Sequence, residues 1–352
     1  MQGSLERVHS VIRGELPDRA PLYDLLRNDA VIGHFAGEPL TLENAPRVVY
    51  RAYEPALDAT RPVVRMPDAE GTFTLEDGRQ QRRFRWTAWT APRVYRSADD
   101  WAAEKRAALE AYTPAWTDDD ARALRERLSW IAEQRALLGE VFFFPGAPGG
   151  IVQGLYGEVG LEAFIYYLTD YPGIVDDLMD MLTERATAWI EHLPTGHGIE
   201  GVFMGDDIAY NRGTLLRPDW FAAHYVPRLR RTIAACHRKD IAVLFHSDGN
   251  LNPIMDGLVD AGIDGLNPLE VLADMDAGDL HRRYPHLFFA GGIDVSQLLP
   301  LGSPEQVRDA VVQALDATEG RLMVGSSTEL NNEVPLANYL ALREAVLNYA
   351  YV

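Results

Sequence analysis

The stretch Ile241-Ala-Val-Leu-Phe-His-Ser-Asp-Gly-Asn250 sets the frame for the whole chain. Its apolar half has the length of a buried strand, and it stops abruptly at polar residues. A helical pattern, Asn252 to Val259, follows at once. A strand that carries side chains to its own C-terminal tip and then turns into a helix is one βα step of a parallel sheet, and active sites collect at such tips. His246 and Asp248 are two residues apart, so continued strand geometry points them to the same side. The competing reading is a turn in which Asp248 and Asn250 cap the next helix.

The same step recurs along the chain. Short apolar runs fall at 22–26, 62–66, 141–144, 201–204, 241–246, 264–267, 287–290 and 321–324. Helical periodicity fills 5–13, 43–56, 97–112, 118–138, 159–168, 172–192, 217–239, 303–317 and 335–350. Alternating strands and helices predict an α/β fold with a parallel sheet, and eight such strands predict a (β/α)8 TIM barrel as one domain over 1–352. An open, doubly wound sheet is the alternative. Residues 72–96 break the alternation. Strand-like runs flank Asp77-Gly78, which predicts a β-hairpin insertion after the second strand. It carries Arg82, Arg83 and Arg85, either as a solvated face or as a basic lid over an anionic substrate.

Polar residues cluster just past the strands: Asp206 and Asp207, His246 and Asp248, Asn267 and Glu270, Asp294, then Ser326, Ser327 and Glu329. Arg27 follows the first strand and Arg65 lies in the second. Each could serve a turn or a cap, but in a barrel they share one rim. Pro145-Gly-Ala-Pro-Gly-Gly150 lets backbone approach a ligand, yet it lacks the Lys and Ser/Thr of a phosphate-binding loop.

The formal net charge of −19 over 352 residues argues against nucleic acid or an anionic membrane as partner. No apolar run reaches the roughly 20 residues needed to cross a bilayer. The N-terminus has no signal-peptide core. The one cysteine, Cys236, reads as a small buried residue. A reducing cytoplasm is therefore expected.

Four segments carry a family resemblance. His246-Ser-Asp-Gly-Asn250, Asp260-Ala-Gly-Ile-Asp-Gly-Leu-Asn-Pro-Leu-Glu270, Gly291-Gly-Ile-Asp294 and Arg13-Gly-Glu-Leu-Pro-Asp-Arg19-Ala-Pro21 resemble the uroporphyrinogen decarboxylase superfamily. The resemblance covers nearly the whole chain and is strongest over 200–300. It implies a TIM barrel, and either porphyrinogen decarboxylation or zinc-dependent transfer of methyl groups from corrinoid proteins to thiols. The decarboxylases' Arg-Gln-Ala-Gly-Arg segment is replaced by Tyr23-Asp-Leu-Leu-Arg-Asn28, with Arg27 alone. Their late His-containing loop is Ser326-Ser-Thr-Glu329. In the methyltransferase branch zinc is held by His-x-Cys and a later Cys. His246 matches the first ligand, Asp248 stands for the first Cys, and Ser327 to Glu329 lie near the second. With both thiolates gone, the resemblance implies either a harder metal site of His246, Asp248 and Glu329, suited to zinc or another divalent ion, or no metal at all.

Three functions are carried forward. The first is a methyltransferase or demethylase acting on a small organic substrate, served by a corrinoid on a partner protein, with a homodimer as a candidate assembly. The second is a cofactor-free lyase that decarboxylates a small acid. There His246 and the Asp206/Asp207 pair handle the proton, because close carboxylates have split pKa values. Arg27 or Arg65 binds the carboxylate, with Asn267, Glu270, Asp294 and Ser327 as further substrate contacts. The third is an inactive barrel that binds a small molecule.

Overall fold

The structure, a computed structural model, describes residues 2–351. Its centre is a five-stranded parallel sheet in the order Leu322–Ser326, Phe288–Ile293, Gly265–Asn267, Ala242–His246, Gly201–Gly205. Two parallel pairs accompany it: Ala59–Thr60 with Phe142–Phe143, and Leu26–Arg27 with Leu330–Asn331. Single parallel bridges join Leu22 to Val324, Tyr23 to Ala59 and Gly146 to Phe203. Gly325 shows how tightly the chain is drawn in there: a Cβ on it would lie 1.7 Å from the Tyr23 carbonyl oxygen. The fold is mixed α/β with helices between parallel strands.

The strands read near-continuously apolar because both of their faces are buried. Phe142 and Phe144 join Tyr23, Leu244, Phe288 and Met323 in one cluster, while Phe143, Val243, Phe245 and Phe289 join a second, larger cluster with the helices. The smaller cluster is closed at one end by Val8 and Val11, both buried, from the helix Ser4–Ile12. The opposite ends of the strands carry the polar residues.

Several elements differ from the sequence reading. The second strand is Ala59–Thr60, and 62–66 is irregular. Pro62 has no N–H to give, and the backbone of residues 58 to 60 already pairs with Leu22 and residues 142–144. The helix expected at 159–168 is preceded by another, Ile151–Val159, which begins straight after Gly150. The helix expected from 217 to 239 contains a π turn, Phe221–Tyr225, before Val226–His237.

Within 72–96 the chain forms a three-stranded antiparallel sheet of Gly71–Thr74, Gln80–Arg83 and Ala88–Thr90. The first turn is at Asp77-Gly78, where Gly78 takes a positive φ of 82°. The run read as one strand, 81–89, is two, because Phe84 N–H bonds the Thr87 carbonyl and turns the chain. Arg85 and Trp86 tie this sheet down by donating to Asp29 at 2.8 and 2.9 Å. The expected caps form: the Ser97 side chain accepts from Asp100 N–H, and Thr117 and Asp120 make a reciprocal capping box.

Candidate active site

Side chains alternate across a strand, and this parity separates Asp206 from Asp207. Met204 and Asp206 fall on the helix side of Gly201–Gly205, and Phe203 and Asp207 on the other. Asp206 is 1% exposed and accepts the backbone N–H groups of Val152 and Gln153, at 3.1 and 2.6 Å. It holds the start of the helix Ile151–Val159. Burial pushes its carboxyl up to about 6 despite those two donors. Asp207 faces His246 instead, with Oδ1 3.5 Å from Nε2. The adjacent acids therefore face opposite sides of the strand.

His246 closes the strand Ala242–His246, and its ring lies 4.8 Å from that of Phe203. Its Nδ1 is 2.7 Å from Asn267 Oδ1. The Asn267 amide orientation is set by its Nδ2, which donates to the Ala290 carbonyl at 3.0 Å. Oδ1 is thus an acceptor, so Nδ1 carries the proton and Nε2 keeps its lone pair. Arg61 lies beside the same ring: Nη1 is 3.3 Å from Nδ1 and donates to Asn267 Oδ1 at 3.2 Å. Burial first, and this guanidinium second, hold the imidazole down to about 4, so it is neutral at pH 7.

Nε2 points at carboxylates. Asp248 Oδ1 is 3.8 Å away, and no hydrogen-bond partner reaches this buried oxygen. The following helices take no side-chain cap from Asp248, and Asn250 Oδ1 instead accepts Asn252 N–H at 3.0 Å in a local turn. Burial, then Asp207 and Glu270, push Asp248 up to about 7. Asp207 is clamped by Gln153 Nε2 at 2.6 Å and by Asp248 N–H at 3.2 Å. Glu270 accepts Gly249 N–H at 2.8 Å, and burial raises its carboxyl as well.

Asp207, His246 and Asp248 each offer one ligand atom, and these atoms all lie within 4.8 Å of one another. On a tetrahedral zinc ion, neighbouring N and O ligands sit about 3.3 Å apart. The separations from Nε2 are close to that, the imidazole presents its lone pair, and an orphaned carboxylate oxygen faces the gap. These residues fit a divalent ion.

The other expected residues are placed as follows. Glu329 stands away from this group, paired with Arg27 and with Arg61 Nη2, the latter at 3.3 Å. Two guanidiniums thus hold this carboxylate, and the acid that stands with His246 and Asp248 is Asp207. Arg27 is spent on Glu329, and Arg65 is exposed. Asn267 supports His246 from behind. Asp294 caps the next turn, accepting N–H groups of Ser296, Gln297 and Leu298. Ser327 Oγ accepts Val295 N–H at 3.1 Å, and Ser326 donates to the buried Asp24.

Sequence reasoning missed Arg61 and Gln153. Arg61 directly follows Ala59–Thr60, so placing the strand there would have put it on the rim. Gln153 lies in the first turn of the missed helix, where Gly149-Gly150 was the available signal.

Comparison with known proteins identifies the family. The family model described as Uroporphyrinogen decarboxylase (URO-D) matches residues 117–349. The methylcobamide:CoM methyltransferase MtbA of Methanosarcina mazei is 25% identical over 180 residues, 51% of this chain and 50% of that protein. The chain thus spans about half the length of this curated relative. The solved structure of a methyltransferase from Methanosarcina mazei superposes with a TM-score of 0.69 at 18% identity, covering 98% of both chains, which speaks to the fold alone. With its parallel α/β architecture and a family match across most of its length, the chain belongs to the uroporphyrinogen decarboxylase family.

Proposed function

We propose that this protein is a metal-dependent methyltransferase of the family, with a divalent ion, zinc foremost, held by Asp207, His246 and Asp248. The observation that carries the reading is the meeting of the unprotonated His246 Nε2 with two carboxylates, one bearing a buried oxygen without a partner. When bound, such an ion supplies a Lewis acid that takes up an acceptor's heteroatom and lowers its pKa. The protein does the rest. Asn267 fixes the imidazole tautomer, Gln153 holds Asp207 in place, and Arg61 occupies the far side of the ring, so that Nε2 faces only the acids. The name of the similar methylcobamide:CoM methyltransferase supports a methylated corrinoid as donor and a small organic molecule as acceptor, and the proposal places that corrinoid on a partner protein.

We also read the chain as one domain. Taken in order, the parallel pairs and bridges run from residues 22–23 through 59–60, 142–146, 201–205, 242–246, 265–267, 288–293 and 322–326, then back to 22. Eight staves with separate inner and outer apolar clusters are the signature of a closed barrel, and the small antiparallel sheet is an insertion at its rim. Among the described residues no helix is long and apolar enough to cross a membrane.

A second reading is favoured by Asp248. A buried carboxyl at about 7 beside a neutral imidazole is a proton donor suited to a lyase. One experiment separates the two. Protein reconstituted with zinc is mixed with methylcobalamin and a panel of small thiols and alcohols. Methyl transfer requires demethylation of the corrinoid, seen as a change in its visible spectrum, in the wild type and not in Asp207→Ala. No spectral change with any acceptor, together with CO2 release from a carboxylate panel, would replace the first reading with the second.

A further inference from the structure

A cavity of about 700 Å3 lies on the far side of the strand tip from His246, between the helices and the outer face of Gly201–Gly205. Its inner end is formed by Met204, Asp206, Tyr225 and Leu229, all nearly inaccessible to solvent. The space exists because three helices present alanines there, Ala111, Ala123 and Ala186 among them. A larger side chain at any of these would project into it. Trp116 and Trp189 line its flank, and Trp116 is braced by stacking on His192 at 4.0 Å between ring centroids.

The polar groups that face this space already have partners. Both Asp206 oxygens accept backbone N–H groups, and the buried Tyr225 lies on the same inner wall. Thr232 donates to the Arg228 carbonyl at 3.4 Å and Tyr112 to Glu184 at 3.4 Å, while Thr117 is used as a helix cap. Arg185 approaches Asp120 at 3.9 Å, and both are at the solvent side. A charged ligand would lose its hydration at the inner end and find no counter-group there, because the guanidinium of Arg185 stands at the solvent side. An apolar one loses nothing, and the volume falls in the range of about 300–1,000 Å3 typical of small-molecule sites. The aromatic flank adds flat surfaces for a ring to stack on.

We propose that this cavity is a second binding site, distinct from the His246 cluster, for one uncharged, ring-bearing apolar molecule. It is separated from the acid cluster only by the 206–207 strand tip and the 148–151 loop. The proposal does not depend on what the His246 site catalyses.

The test uses the full chain and two matched probes, the neutral N-phenyl-1-naphthylamine and the anionic 1-anilinonaphthalene-8-sulfonate. Fluorescence titration should show one saturable site for the neutral probe, with energy transfer from tryptophan, and at least tenfold weaker binding of the sulfonate. Ala186→Phe at the inner wall and Ala111→Trp at the exposed rim should each weaken the neutral probe at least tenfold. Ala111 is exposed, so its variant keeps the test valid if Ala186→Phe fails to fold. Non-saturable binding, or folded variants that bind as wild type, would overturn the site. Equal or tighter binding of the sulfonate would overturn the ligand class.

Discussion

Replacing Asn267 by alanine removes the group that fixes the His246 tautomer, without touching any proposed ligand. Asn267 is fully buried, and its Oδ1 takes the Nδ1 proton at 2.7 Å. Without it, the ring can rotate or place its proton on Nε2, the atom that faces Asp207 and Asp248. Outer partners of metal-bound histidines are worth about 10–100-fold in affinity, or about 1.4–2.7 kcal/mol. There is also a folding cost. The Ala290 carbonyl loses its donor, and one such buried group left unpaired costs about 1–3 kcal/mol. The assay is competition for Zn2+ against a chromophoric chelator, alongside urea denaturation. Asn267→Ala should bind zinc 10–100-fold more weakly. Asn267→Asp keeps an acceptor for Nδ1–H and should recover most of that affinity, though it still leaves Ala290 without its donor. If Asn267→Ala folds and binds zinc within about twofold of wild type, the tautomer argument is wrong.

Two further outcomes are expected. Asp206→Ala should cost about 1–2 kcal/mol of stability through the lost helix cap and spare metal binding, whereas Asp207→Ala should do the reverse; urea denaturation and metal titration on both variants check this. Metal affinity should also depend on pH. Asp248 is pushed up to about 7, so below that pH an incoming ion must displace a proton, while His246, held down to about 4, stays neutral. Affinity should then fall about tenfold per unit as pH drops from 7 towards 4, and a flat profile by calorimetry in this range would contradict it.

The parts of the site legible in the sequence were those that depend on one strand at a time. Val243 to Phe245 are apolar and the chain turns polar at His246, so both the strand and its tip were visible. The parity that brings His246 and Asp248 to one side was visible too. The same parity, applied to Gly201–Gly205, already argues against an Asp206/Asp207 pair, because adjacent residues face opposite sides. What was hidden depends on contacts across the fold. That Glu329 would be held by Arg27 and Arg61 follows from three segments meeting, and no spacing in the chain encodes it. The second strand was misplaced because Pro62 to Met66 is apolar enough to pass for one, while Ala59–Thr60 is too short to show periodicity. The arginine that reaches the rim is the buried Arg61, directly after Ala59–Thr60, and not the exposed Arg65.

The most direct test is the metal content of the protein after equilibrium dialysis against Zn2+ at pH 7.5, with the wild type compared with His246→Ala. His246 contributes the neutral nitrogen ligand, and its removal leaves two carboxylates that repel each other. Elemental analysis should give one zinc per wild-type chain and less than a tenth of that in the folded variant. Wild-type protein that takes up no stoichiometric metal, or a His246→Ala protein that retains it, would contradict the assignment of Asp207, His246 and Asp248 as a metal site.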